Sequence, residues 1–409
     1  MLQEELFRTA LGLTDPWIVT FVRFEAGKDG VRGELHLGLD FGTGARFSCP
    51  ECEKAGLEVH DTKERGWRHL DFFQHQTYLH ARVPRVSCPE CGVHLVRVPW
   101  ARAGSGFTLL FEAMAVTLAG SMPVLAVSRQ LGIRDGRIWR ILRAYVDAAR
   151  ETLDESEVTR VGVDETSSRK GHKYVTIFAD MDKRRVVFAT PGKDQTTFEA
   201  FVEDLKQHGG KPEMVTDVVS DLSAAFTAGA EAWFPNAELT YDKFHVLKLV
   251  GEAVDETRRK EVGSRPELKG TRYVFLKNPM NLIKKQRETW DELKDGNLRT
   301  VKAYQLRLAL RDIFESPPQG IELQLGRWIG WALRSRVEPI VKAAQTIRKH
   351  VPKILRVIQN DLTTALMEGI NSLVQAAKAK ARGYRNVENF ITVIYLVAGR
   401  LDFQFTHTE

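Results

Sequence analysis

The spacing of apolar positions changes twice along this chain. In GWRHLDFFQHQTYLHARVPRVS, residues 66–87, apolar and polar residues alternate near the end, the period-two pattern of strands. Residues 108–150 have helical spacing. There Ser121 is placed to cap a helix that runs from Val124 to Leu131 with Pro123 in its first turn. Gly132 supplies a sharp turn, and a second helix starts near Asp135 with Ile138, Ile141, Leu142 and Tyr145 on one face. This reads as a helix-turn-helix. From Val158 the pattern returns to strands: VTRVGVDE, HKYVTIFADM and RRVVFATP. The amphipathic helix TTFEAFVEDLKQHGG follows, then a strand in MVTDVVSDLS, a helix in AAFTAGAEAWF and a strand in AELTYDKFHV.

The order β-β-β-α-β-α-β is that of an RNase H-like fold, with three antiparallel strands followed by parallel strands and crossover helices. Asp164 ends the first of these strands and Asp221 the fourth. Adjacent strands would bring the two carboxylates together, and two close like charges need a cation between them. Oxygen donors of this kind suit Mg²⁺ or Mn²⁺. The neighbouring acids have blander readings. Glu165 should face the other side of the sheet, Asp217 sits mid-strand or at the wrong end, and Asp180 and Asp182 look like hairpin-turn acids.

Composition adds a partner to this picture. The net charge is only +6, but residues 251–360 hold 23 Lys and Arg against 13 Asp and Glu, a net of +10. So basic a block implies either a polyanion partner or a solvated helical surface. Residues 121–150 hold six Arg against two Asp, and Arg137, Arg140 and Arg143 lie on the second helix, where phosphates and guanine edges would be met. The longest apolar stretch, Ala113 to Val127, is too short and too interrupted to cross a membrane, and the N-terminus lacks a basic leader, so a cytoplasmic, nucleoid-associated protein is expected.

All four cysteines fall in two CPEC tetrapeptides, Cys49–Cys52 and Cys88–Cys91, separated by 35 residues. Two such turns present four thiolates to one ion, which predicts a structural Zn²⁺ in a zinc-ribbon-like module. His60, His69, His75, His80 and His94 lie nearby as spare ligands.

Taken together, the twin CPEC module, the helix-turn-helix with Trp139, VGVDETSSRKGHKYVTI, VVSDLS, YDKFHVLKL and LMEGINSLVQAAKAKARGYRNVENF resemble the DDE-type insertion-sequence transposases of the ISL-three group over nearly the whole chain. The resemblance implies an RNase H-like catalytic core, a divalent metal, mobile-element ends and target DNA as substrates, and a homodimer or larger synaptic assembly. It carries the catalytic and metal-binding triad onto Asp164, Asp221 and Glu368. Glu368 lies in a helix whose apolar stripe is Leu362, Leu366, Ile370, Leu373 and Ala377, and an ideal wheel puts it roughly opposite that stripe. Gly369 beside it leaves room for packing or for substrate. Lys378, Lys380, Arg382 and Arg385 follow as candidate DNA-backbone contacts.

The 146 residues between Asp221 and Glu368 exceed what a minimal core needs, which predicts a mostly helical basic insertion. Its Trp290, Trp328 and Trp331 are placed either to pack or to stack on an unpaired base. His245 either packs or approaches the acids. The expected architecture is multidomain α+β and α/β. It comprises a zinc module at 1–105, a helix-turn-helix at 106–157, the RNase H-like core at 158–250 and 361–409, and the insertion at 251–360. The alternatives to a transposase are a non-catalytic DNA-binding regulator derived from one and a nuclease that cuts without joining.

Overall fold

The structure is a computed structural model that describes residues 2–27, 32–169, 173–241, 243–359 and 365–405. It forms two compact units, one of residues 1–150 with the stretch from Leu401, the other of residues 151–400.

The first unit opens with α1 (Leu2–Ala10), followed by β1 (Trp17–Glu25), β2 (Glu34–Phe41), β3 (Val59–Phe72), β4 (His75–Cys88) and β5 (Gly92–Leu95). The strands form one sheet in the order β1-β2-β4-β3, with β5 on β4. Strand β2 runs parallel to β4, and the β1–β2, β3–β4 and β4–β5 pairs are antiparallel. Every second residue of β2 and β4 points inward, so Leu35, Leu37, Leu39, Leu79, Ala81 and Val83 are buried. Trp17 and Trp67 pack edge-on against Trp100 at 4.8 and 5.6 Å.

Three helices follow: α2 (Leu109–Ser121), α3 (Val124–Leu131) and α4 (Asp135–Glu151). On α4, Ile138, Ile141, Leu142 and Tyr145 are buried together with Val146 and Ala149, the face that the periodicity predicts. Each fully buried aliphatic side chain there stabilises the fold by ~1.5–3 kcal/mol. Gly132 ends α3 at φ +67°, a left-handed turn that glycine adopts without a Cβ clash. One expectation is corrected. Ser121 does not cap α3: it is the last residue of α2, and its hydroxyl donates to the Leu118 carbonyl at 3.1 Å. Pro123 occupies the cap position, because its fixed φ of −61° suits the entry and it has no N–H to satisfy.

The second unit runs β6 (Arg160–Ser167), β7 (Tyr174–Asp180), β8 (Arg185–Pro191), α5 (Thr196–Gln207), β9 (Asp217–Ser220), α6 (Ala224–Trp233) and β10 (Glu238–Tyr241). Then come α7 (Lys243–Glu261), α8 (Arg272–Leu276), α9 (Lys284–Leu293), α10 (Arg299–Glu315), α11 (Ile321–Leu333), α12 (Glu338–Lys349) and α13 (Val351–Gln359). The last two helices are α14 (Ala365–Lys380) and α15 (Val387–Ala398). The sheet order is β10-β9-β6-β7-β8. β6 pairs antiparallel with β7 and parallel with β9, and β10 is parallel to β9, which is the RNase H-like arrangement. The segment AELTYDKFHV, expected as one strand, splits: the strand stops at Tyr241 and α7 starts at Lys243. Val246, Val250, Ala253 and Val254 recur at helical spacing, and all four are buried.

The sheet is held by an aromatic cluster, with Phe178 stacked on Phe201 at 4.4 Å and edge-on to Phe198 at 5.1 Å. The same core continues through Val246, Tyr304, Leu310, Trp328 and Ile340. The helices between β10 and α14 therefore share one hydrophobic interior with the sheet. Helix α13 packs on β10, α14 on β6 and α15 on β8.

Candidate functional site

Parallel pairing aligns Arg160 with Asp217, Val161 with Val218 and Gly162 with Val219. Two residues further along each strand, the same register sets Asp164 opposite Asp221. Neighbouring strands lie ~4.8 Å apart, and the shared parity puts both side chains on one face. Burial pushes the pKa of Asp164 above its ordinary value; a charged His245 opposes that shift, and the Asp221 carboxylate adds to it. The backbone amide of Glu165 donates to Asp164 Oδ1 at 2.7 Å, and that of Ser223 to Asp221 Oδ1 at 2.9 Å.

Helix α14 lies along β6 as a ladder. Met367 covers Gly162, where a Cβ would meet the Met367 sulfur at 2.5 Å. The Asn371 amide donates to Asp164 Oδ2. Gln375 Nε2 donates to Thr166 Oγ1 at 2.8 Å, and Lys378 Nζ to the Ser167 carbonyl at 2.7 Å. Glu368 sits in the first turn of α14, exposed and three residues before Asn371. Residues three apart are neighbours on a helix surface, so Glu368 flanks the side that meets Asp164. Among the described residues, and apart from its own helix and chain neighbours, no atom lies within 4 Å of a Cβ built on Gly369.

The apolar stripe of α14 differs from the expectation. Met367, Ile370 and Val374 are buried, whereas Leu373 is 52% exposed. Leu362 lies outside the described residues. The ladder to β6 turns the helix so that Leu373 faces outward. Asn371, Gln375 and Lys378 were not predicted as partners of β6; their spacing of four and three residues is the signal that carries them.

The other acids have separate duties. Asp217 pairs with Arg356 at 2.8 Å at the start of β9. Asp180 Oδ1 accepts the amides of Asp182 and Lys183, and Asp182 pairs with Arg160, as hairpin-turn acids do. Glu165 lies within electrostatic reach of both Asp164 and Asp221; burial raises its pKa, and Lys193 and Lys248 oppose that rise.

The four cysteine sulfurs lie within 4.8 Å of one another. Cys52 and Cys88 are 3.6 Å apart, close to the ~3.8 Å edge of a tetrahedron with ~2.3 Å Zn–S bonds. The residue after each CPEC, Glu53 and Gly92, has positive φ, so the two knuckles share one turn. The backbone amides of Glu90 and Cys91 lower the Cys88 pKa to about 7, which favours the thiolate that a metal needs. The donor set fits a structural zinc ion. Three of the spare histidines bond elsewhere: His69 to Thr108, His80 to His36 and His94 to the Cys91 carbonyl.

On α4, Arg137 and Arg140 are exposed and Arg143 is half-buried; the Arg137 guanidinium stands 5.5 Å from the Phe107 ring. Lys380, Arg382 and Arg385 are exposed around the end of α14, whereas the ammonium of Lys378 is turned onto β6. Trp328 is buried with its indole N–H on the Leu306 carbonyl, Trp290 packs against Phe275 and Tyr304, and Trp331 is 41% exposed.

The acid pair also fits a hard divalent cation. Asp164 and Asp221 offer carboxylate oxygens, burial penalises the charge of Asp164, and the Oδ1 of Asn371, which meets Asp164, is buried with no hydrogen-bond partner among the described residues.

Three family models match successive stretches of the chain. Residues 161–394 match a transposase family model of the ISL3 type. Residues 96–146 match the helix-turn-helix domain of transposase family ISL3, and residues 45–91 a zinc-finger of transposases IS204/IS1001/IS1096/IS1165. The chain is 28% identical to the transposase for insertion sequence element IS1557 of Mycobacterium tuberculosis, covering 97% of this chain and 96% of that one. It is 29% identical to the transposase for IS1001 of Bordetella parapertussis, covering 85% and 87%. Among the described residues, no helix is long and apolar enough to cross a membrane.

Proposed function

The chain belongs to the ISL3 family of transposases, and from that premise we propose that it binds the terminal inverted repeats of an insertion sequence and cuts and joins DNA at Asp164, Asp221 and Glu368. The observation that supports this reading most is the parallel pairing of Gly162 with Val219, which, carried two residues on, brings Asp164 level with Asp221 just past the end of β9. Glu368 would close the site from the first turn of α14, three residues before the Asn371 that donates to Asp164.

Asp164 and Asp221 would hold Mg²⁺ or Mn²⁺, with Glu368 closing the site from α14. A bound ion of this kind supplies charge stabilisation for the attacking and leaving oxygens of a phosphodiester. The chain's own groups prepare the place. The amides of Glu165 and Ser223 fix the two carboxylates. Glu368 is exposed, and the glycine beside it adds no side chain between Glu368 and a DNA strand.

The remaining parts locate the substrate. Helix α4 carries Arg137, Arg140 and Arg143 to the terminal repeat. Lys380, Arg382 and Arg385 meet the backbone near the cleavage point, and the basic helices of residues 251–360 hold the flanking DNA. Trp331, the most exposed of the three tryptophans there, is the one suited to stack on an unpaired base. Two ends must be joined, so a dimer or larger assembly on DNA is part of the proposal.

The test is a supercoiled plasmid carrying the element's ends, incubated with the protein and Mg²⁺. Integrated or joined products are expected. Cleavage without joining would make the protein a nuclease, and end-binding without cleavage would make it a regulator.

A further inference from the structure

We propose that Asn371 is a direct ligand of the divalent cation, supplying a neutral oxygen beside Asp164 and Asp221; this rests on the metal-binding reading of the acid pair given above. The Asn371 side chain is held at one end only. Its Nδ2 donates to Asp164 Oδ2, which fixes the plane of the amide. Its Oδ1 is buried and accepts no hydrogen bond from the described residues, although a buried carbonyl ordinarily finds a donor. Asp164 Oδ1 accepts the Glu165 amide and Oδ2 the Asn371 amide, and each oxygen keeps a lone pair for an ion. Asn371 Oδ1, on the amide that meets Asp164, is a further oxygen with no donor among the described residues.

The chemistry of the donor fits. Mg²⁺ and Mn²⁺ take carbonyl as well as carboxylate oxygens. Asp164 and Asp221 already bring two negative charges to the place, and a further carboxylate would add to their repulsion. An amide oxygen adds a ligand without adding charge. The position is also rigid: Met367 over Gly162, Gln375 on Thr166 and Lys378 on Ser167 fix α14 on both sides of Asn371. A ligand needs that preorganisation, because a loosely held oxygen would be ordered only at the cost of affinity.

The experiment measures Mn²⁺ binding to the full chain without DNA, by the loss of the free-ion electron paramagnetic resonance signal. Wild type is expected to bind, and Asp164→Asn to lose the site. If the wild type shows no site that depends on Asp164, the acid-pair reading fails and takes this proposal with it. Given that site, Asn371→Ala should weaken Mn²⁺ binding by ~10–100-fold, the range that altered metal surroundings produce. Asn371→Cys should add one Cd²⁺ per chain beyond any taken up by the four cysteines in wild type, with an additional thiolate-to-metal absorption that Asp164→Asn removes, since a soft donor selects a soft ion. A residue that only positions Asp164 would weaken Mn²⁺ in both variants and gain nothing for Cd²⁺; that result overturns the proposal, as does Asn371→Ala binding Mn²⁺ within about twofold of wild type. Unchanged zinc content and thermal unfolding of the variants show that they are folded.

Discussion

At the scale of single residues, chemistry follows from where a side chain is anchored. Asp164 and Asp221 were legible in the sequence because each closes a β-branched run and strand order sets the two runs side by side, although β6 continues to Ser167, so that Asp164 lies mid-strand and only Asp221 stands past a strand end. Glu368 came from family resemblance, since an exposed glutamate on a helix has no signature of its own. Asn371 was not legible, because its meaning depends on a hydrogen bond to a strand more than 200 residues earlier. Asp164→Asn, Asp221→Asn and Glu368→Gln should each lower strand transfer by at least ~10²-fold, as expected for lost transition-state charge stabilisation. Binding to the terminal repeats should be unchanged in a gel-shift assay, because the helix-turn-helix is untouched. The cysteines behave differently. Cys88→Ser should abolish zinc and unfold the N-terminal module, since a structural site contributes ~10–16 kcal/mol in small zinc domains. Metal analysis and near-ultraviolet circular dichroism would show both losses, and a folded module without zinc would refute the structural role.

At the scale of elements, helix α14 and strand β6 form the decisive pair. Period-two and period-3.6 patterns located both, but the rotation of α14 was misjudged. The wheel favoured Leu373 as an inward residue, whereas polar contacts from Asn371, Gln375 and Lys378 to β6 leave it exposed. Apolar counting cannot see a helix positioned by hydrogen bonds along one flank. Gly162 is the small residue that lets Met367 sit over β6. Gly162→Val should overpack this contact, cost ~1–3 kcal/mol and lift α14 from the strand. The expected result is lost strand transfer, with hydrogen exchange accelerated in α14 but not in β7 or β8. Adding Met367→Ala should restore part of both. Wild-type exchange and activity in the single variant would contradict this packing.

At the scale of the whole molecule, the chain divides differently from its charge. The basic stretch 251–360 looked like a separable insertion, and its composition does differ from what surrounds it. Its buried side chains nevertheless continue the core of the catalytic sheet, from Phe178 and Phe201 through Tyr304 and Trp328. Charge is a property of the surface, so a basic segment in the sequence does not mark a boundary in the interior. Trp328→Ala should therefore cost ~3–5 kcal/mol and lower the melting of the catalytic sheet along with the helices. Trp331→Ala should leave that melting unchanged, because its ring is half outside. A calorimetric scan of Trp328→Ala that left the sheet at its wild-type transition would separate the two.

The central claim is that Asp164, Asp221 and Glu368 surround one divalent ion. Its most direct test is Fe²⁺ bound in place of Mg²⁺, with ascorbate and peroxide producing radicals that cut the chain next to the metal. Backbone cuts are predicted around residues 164, 221 and 368 together, suppressed by excess Mg²⁺ and absent from Asp164→Asn. Cuts that spare any one of these three stretches, or that persist in Asp164→Asn, would contradict it.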